Sequence, residues 1–156
     1  MGVDHALARE RPRPALQLRT RLGRSVIAGA PAPRVIVADD DADIRALVAI
    51  SVTKAGLVLV DKFPDGSSAW EGVQGSAPDL AVLDVSMPGL TGLQICRLIR
   101  ADARLSGMRI ILLSAAVDDA SRQAGFDAGA DEYLPKPFSP RDLIERLSVL
   151  SDRVGA

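Results

Sequence analysis

The sequence predicts a doubly wound α/β fold, a single parallel sheet with helices on both faces. Three observations carry that prediction. Short apolar runs alternate five times with longer amphipathic segments, which is the signature of repeated strand–helix units. The run Leu80-Ala81-Val82-Leu83 shows no polar alternation, as expected of a strand covered on both faces. Several of the runs stop abruptly at a carboxylate, a hydroxyl or an ammonium, and reaction sites in such sheets lie beyond the carboxyl ends of the strands.

Order is expected from Arg34 onward. Val35-Ile36-Val37-Ala38 reads as the first strand and ends in Asp39-Asp40-Asp41. Residues 43–54 carry Ile44, Leu47, Val48 and Val52 as a helical stripe, closed by Gly56. Leu57-Val58-Leu59-Val60 is the second strand, and Asp65-Gly66 opens a short helix over 67–73 that ends near Gly75. Trp70 on that helix reads as packing. The third strand ends at Asp84, and a loop with Pro88 and Gly89 leads to a helix over about 90–102, with Leu93, Cys96, Leu98 and Ile99 inward. Cys96 reads as a small buried hydrophobe. Residues 108–113 form the fourth strand, ending at Ser114, and 118–127 a weakly apolar helix with Arg122 and Gln123 outward. Glu132-Tyr133-Leu134 is the last strand, followed by Lys136-Pro137, and a final helix from Ser139 or Pro140 carries Leu143, Ile144, Leu147 and Leu150. Five such units with right-handed crossovers predict the flavodoxin-like strand order 2-1-3-4-5.

Length and charge divide the chain into a tail, 1–33, and a domain, 34–153. The tail holds six arginines against Asp4 and Glu10, a net +4, so the remainder carries −5 to reach the formal −1. Its Arg/Pro/Ala/Gly mixture predicts disorder. A short basic amphipathic helix over 15–27 is the alternative, and an upstream choice of start codon would also produce such a tail. His5 reads as solvated. One cysteine excludes an internal disulfide and argues against a cysteine-based metal site, which suits a reducing cytoplasm. No apolar run approaches membrane-spanning length and no signal peptide is recognisable, so membrane insertion is not expected. The near-neutral total gives no general reason to expect nucleic acid.

In the predicted strand order, Asp39 and Asp40 come to lie beside Asp84. Carboxylates so placed raise each other's pKa or recruit a cation, and Mg²⁺ suits one or two carboxylates with waters and phosphate oxygens completing its shell. Asp41 and Asp43 are better explained as helix-capping acids. Ser114 and Lys136 at the next two strand ends add a hydroxyl donor and a compact cation. That set fits phosphoryl transfer, in which positioning and charge stabilisation dominate, with a carboxylate as nucleophile.

The pieces Val37-Ala38-Asp39-Asp40-Asp41, Leu83-Asp84-Val85-Ser86-Met87-Pro88, Leu113-Ser114-Ala115 and Asp131-Glu132-Tyr133-Leu134-Pro135-Lys136-Pro137-Phe138 together resemble the receiver (CheY-like) domain of two-component response regulators. The resemblance implies Asp84 as phosphoacceptor, with Asp39, Asp40, Asp84 and the backbone carbonyl of Ser86 around Mg²⁺. It implies Ser114 and Lys136 as the groups that assist transfer, Ser114 and Tyr133 as switch residues, and a cis Lys136–Pro137 bond. Ser86 and Ala116 match positions that modulate dephosphorylation. The donor would be a phosphohistidine on a histidine kinase or phosphotransfer protein, and the receiver would catalyse its own transfer and slow dephosphorylation without being an enzyme in the usual sense. The fourth helix, fifth strand and fifth helix would form the readout face, here with Asp119, Arg122, Glu132, Arg141 and Arg146, for a downstream protein or a symmetric dimer. Too little follows Leu150 for an output module, so the chain reads as a stand-alone receiver or a fragment of something larger. Two other readings remain: a flavodoxin-type cofactor protein, which Asp39-Asp40-Asp41 opposes by repelling a phosphate, and nucleic-acid binding through the tail.

Overall fold

The computed structural model describes residues 17–19, 25–27 and 31–155. Near the N-terminus, Gln17–Arg19 pairs antiparallel with Ser25–Ile27, Leu18 opposite Val26. These parts of the stretch weighed as an amphipathic helix are therefore extended, in keeping with the strand preference of Val26 and Ile27. The rest of the tail to residue 30, including the disorder expected of it, lies outside the described residues.

The second unit is the α/β body. Its elements are β1 (Arg34–Ala38), α1 (Ala42–Lys54), β2 (Val58–Phe63), α2 (Gly66–Ser76), β3 (Leu80–Asp84), α3 (Gly92–Ala101), β4 (Arg109–Ser114), α4 (Asp119–Asp127), β5 (Glu132–Pro135) and α5 (Pro140–Ser151). The sheet order is β2-β1-β3-β4-β5, every neighbouring pair parallel. This is the flavodoxin-like order 2-1-3-4-5 expected from the alternation. The pairings Ala38 with Leu83, Asp84 with Leu113 and Ser114 with Pro135 keep the carboxyl ends level.

Side chains alternate across the pleat, so the strands supply two cores. Ile36, Ala38, Ala81, Leu83, Ile110 and Leu112 meet α2 and α3 through Ala69, Val73, Ile95 and Ile99. Val35, Val37, Val82, Ile111, Leu113 and Leu134 meet α1 and α5 through Val48, Val52, Leu143, Leu147 and Leu150. Each such leucine or isoleucine contributes about 1.5–3 kcal/mol by leaving water. Helix starts are fixed locally: Asp41, Asp65, Thr91, Asp118 and Ser139 each accept a first-turn N–H on the side chain. Such caps contribute about 1 kcal/mol apiece.

Two element boundaries and one burial assignment differ from the sequence reading. β2 continues through Asp61-Lys62-Phe63, because an edge strand tolerates exposed charged side chains. α2 begins at Gly66 and runs to Ser76, ending at Ala77 in the left-handed region (φ 45°). Leu98 is 37% exposed, since Ile95, Cys96 and Ile99 already fill the inward face of α3. Among the described residues no helix is long and apolar enough to cross a membrane.

The end of the sheet opposite the acidic strand ends is held by Asp131. Its carboxylate accepts from the Ile110 N–H (2.8 Å), from Arg100 (3.0 Å) and from Arg109 (3.5 Å). Arg100 also donates to the carbonyls of Gly129 and Ser106. Removing this carboxylate leaves two partly buried guanidinium groups without their counter-charge. Asp131→Ala is expected to lower unfolding free energy by roughly 2–3 kcal/mol, against under ~1 kcal/mol for the more exposed Asp142→Ala, as read by urea denaturation.

Candidate functional site

The site is built from backbone that runs out of strand. β1 ends at Ala38, and the next side chain, Asp39, has no exposure to solvent. β3 ends on Asp84 itself and β4 on Ser114, both buried. β5 ends at Pro135, and the Lys136 N–H donates to the Ser114 carbonyl at 2.8 Å, so the lysine is tied to the neighbouring strand end. The Lys136–Pro137 bond is cis, as the resemblance implied.

Carboxylate oxygens of Asp39, Asp40 and Asp84 lie within 4.8 Å of one another. Lys136 Nζ stands 3.0 Å from Asp39 Oδ2 and 3.2 Å from Asp84 Oδ2. Asp39 Oδ1 accepts from the Asp41 N–H at 2.9 Å, and Asp84 Oδ1 from the Ser86 N–H at 3.3 Å. Burial, with the Asp39 charge next in weight, pushes the Asp84 carboxyl up to about 6 against the pull of Lys136. Burial works against the Lys136 ammonium, but its hydrogen bond and charge interaction with Asp39, and then with Asp84, outweigh it and raise its pKa. Three carboxylates and one ammonium leave an excess of negative charge on hard oxygen donors. This donor set fits a divalent cation of the Mg²⁺ type, and Asp40, exposed at the rim, gives it an open side.

Asp41 caps α1, accepting the N–H groups of Asp43 and Ile44, and Asp43 is an exposed first-turn acid. Both therefore have the structural role the sequence suggested. Ser86 and Ala116 are exposed beside the site.

Ser114 and Tyr133 are linked through one residue. Ser114 Oγ accepts the Ala116 N–H at 3.0 Å, and the Tyr133 hydroxyl donates to the Ala116 carbonyl at 2.7 Å. The Tyr133 ring is 2% exposed. A Cβ on Gly125 of α4 would come within 2.7 Å of that ring, and the Arg122 guanidinium lies over it, 5.5 Å from its centroid. Arg122, read as facing outward, is thus partly covered by a cation–π contact. Arg45 of α1, not singled out in the sequence, donates to the Asp39 carbonyl at 2.8 Å. The glycine inside α4 was the available signal for the ring's slot, since an interior helical glycine usually has a packing reason. Nothing in the sequence pattern marked Arg45.

A family model described as the response regulator receiver domain matches residues 35–148. The transcriptional regulatory protein GltR of Pseudomonas aeruginosa is 40% identical over 119 residues, covering 76% of this chain and 49% of that protein. The DNA-binding response regulator MtrA of Mycobacterium tuberculosis is 37% identical over 114 residues, 73% of this chain and 48% of that one. The chain thus spans about half the length of these curated relatives. The structure of the chemotaxis response regulator CheY4 of Vibrio cholerae superposes with a TM-score of 0.70 at 28% identity, covering 76% of this chain and 98% of that one.

A carboxyl raised from 3.8 to about 6 takes up protons on folding between those values. Without divalent cations, stability should therefore fall as pH rises from about 4 to about 6. Asp84→Asn should remove that slope and gain roughly 1–3 kcal/mol at pH 7, with no gain near pH 4. Urea titrations of both proteins across that range in chelator measure it.

Proposed function

Because the chain belongs to the response regulator receiver domain family, we propose that its receiver domain accepts a phosphoryl group on Asp84 from a phosphohistidine, with Mg²⁺ bound. The observation that carries this reading is the Lys136 ammonium held within 3.2 Å of both Asp39 and Asp84 at the level ends of neighbouring strands. A receiver domain is a signalling module and not a classical enzyme, and the chemistry asked of it is its own modification.

An Asp84 carboxylate oxygen attacks phosphorus as the phosphorus–nitrogen bond of the donor breaks, and the imidazole leaves with the bonding pair. Asp39, Asp40, Asp84 and the Ser86 carbonyl would hold Mg²⁺, which supplies charge for the transferred oxygens. Lys136 neutralises a further oxygen, and Ser114 Oγ donates a hydrogen bond to another. Once Ser114 serves the phosphoryl group, the Ala116 segment and the Tyr133 hydroxyl bonded to it shift with it. Phosphorylation thereby biases an equilibrium already present. The readout face is α4, β5 and α5. There Arg146 pairs with Glu132 and Asp142 inside one chain, so a symmetric dimer through this face would have to exchange those contacts.

The phosphoryl donor is a histidine kinase or phosphotransfer protein in the bacterial cytoplasm, and the downstream target is a protein. MtrA is described as DNA-binding, so the expectation against a nucleic-acid partner rests on the near-neutral formal charge of −1 alone.

After incubation with acetyl phosphate and Mg²⁺, intact mass should show one added phosphoryl group on wild type and none on Asp84→Asn. Labelling of both would move the acceptor elsewhere, and Lys136→Ala should slow transfer by about 10²-fold. Gly125→Ala crowds the Tyr133 slot and should expose the ring. Tyrosine nitration should then be faster in this variant, with weaker protection on adding beryllofluoride than in wild type.

A further inference from the structure

We propose that Gly66, in the first turn of α2, is a positioning residue for the loop that carries the phosphoacceptor. It holds residues 85–91 so that Asp84 and the Ser86 carbonyl remain aimed at one point. This rests on the reading of that site as a Mg²⁺ and phosphoryl site.

The loop between β3 and α3 leaves the sheet with the Val85 N–H bonded to the Leu113 carbonyl at 2.9 Å and is then fixed at its base, middle and far side. Its base is closed by the Gly92 N–H donating to the Val85 carbonyl at 3.0 Å, where a Cβ would come 2.5 Å from the Asp84 carbonyl oxygen. Its middle is anchored by Met87, whose side chain enters the core below. Its far side is held by α2 and by Leu90, which packs against the same core. The Gly66 N–H donates to the Pro88 carbonyl at 3.0 Å, and a Cβ on Gly66 would sit 1.7 Å from the Leu90 carbonyl oxygen. That obstacle is backbone and cannot swing aside. Beside it, Gly89 takes φ +81° against Ser67.

Two stretches of backbone therefore stack at a separation only glycine permits. Space demands the glycine at position 66, and helix propensity opposes it, since alanine is the better helix former. Ala69 and Val73 dock the same helix on the core one and two turns further along. What the contact does is transmit the position of the β2–α2 turn to Pro88 and Leu90, and through them to Ser86. Displacements of about 1 Å in such positioning groups can change rates by up to about 10²-fold.

Gly66→Ala should weaken Mg²⁺ binding about tenfold by calorimetric titration, and slow phosphorylation by acetyl phosphate at saturating Mg²⁺ by at least that factor. Gly75→Ala, on the same helix with nothing within 4 Å of its Cβ, should match wild type in both. If wild type and Gly75→Ala neither bind Mg²⁺ nor accept phosphate, the proposed function fails. If they do and Gly66→Ala equals them, the positioning role is overturned. Amide exchange in wild type tests the clasp without any variant. The Gly66 N–H, a first-turn donor without an intrahelical acceptor, should be protected, and more so with Mg²⁺ and beryllofluoride. Free exchange, or protection unmoved by those ligands, also overturns it.

Discussion

The ammonium of Lys136 lies between two carboxylates that the fold has withdrawn from water. Asp39 has no solvent exposure and Asp84 very little, and an unpaired charge so placed would be strongly destabilising. Nζ at 3.0 and 3.2 Å from the two oxygens makes the pair tolerable without making it comfortable. Burial, and after it the Asp39 charge, still push the Asp84 carboxyl up to about 6 against the pull of Lys136. With Asp40 at the rim the acids outnumber the one ammonium, and that excess of negative charge would suit a further cation. A site fully neutralised by its own residues would have stability and no use for a metal.

This balance depends on the sheet. The charged groups come from three strand ends that are distant in sequence, and they meet because β1 lies between β2 and β3 while β5 follows β4 at the other side. Level register keeps the ends within reach of each other. The Lys136 N–H bonded to the Ser114 carbonyl sets the direction in which the lysine leaves β5. Buried Val, Ile and Leu on both faces make the strands rigid supports, and the strand ends with the loops that follow them supply the chemistry, as is usual for this architecture.

Much of this was legible in the sequence, for identifiable reasons. Fully apolar runs bounded by polar residues have few readings, so the strands and their order followed. Acids, hydroxyl and lysine at successive strand ends could be read because the strand end is itself marked by the change from apolar to polar. Contacts whose logic is spatial were less visible. Arg122 shows no sequence signal for lying over Tyr133, since its partner is ten or more residues away on β5. Leu98 looks like a core residue in a stripe and is exposed because Ile95 and Ile99 occupy the face. Edge strand β2 ran on past its apolar stretch because only one side of it is paired. Sequence periodicity reports burial, and an edge need not be buried to be hydrogen-bonded.

The same distinction bears on how a site of this kind would be both rigid and responsive under the proposed function. Its acids lie at or just past strand ends, and the groups that would register a phosphoryl group, Ser114 on β4 and Tyr133 on β5, are joined through the loop residue Ala116. Ser114 Oγ is bonded to the Ala116 N–H and the Ala116 carbonyl to Tyr133, so a hydroxyl reoriented at β4 is felt at the ring through one peptide unit. Ala115 and Ala116 are exposed, and no core packing resists their movement. The ring, by contrast, occupies a tight slot between Gly125, Leu112 and Arg122. Close-packed slots favour discrete arrangements over gradual ones. Under the proposed function, a soft connection feeding a tightly packed group would turn a sub-ångström change at a strand end into a choice between two surfaces on α4 and β5.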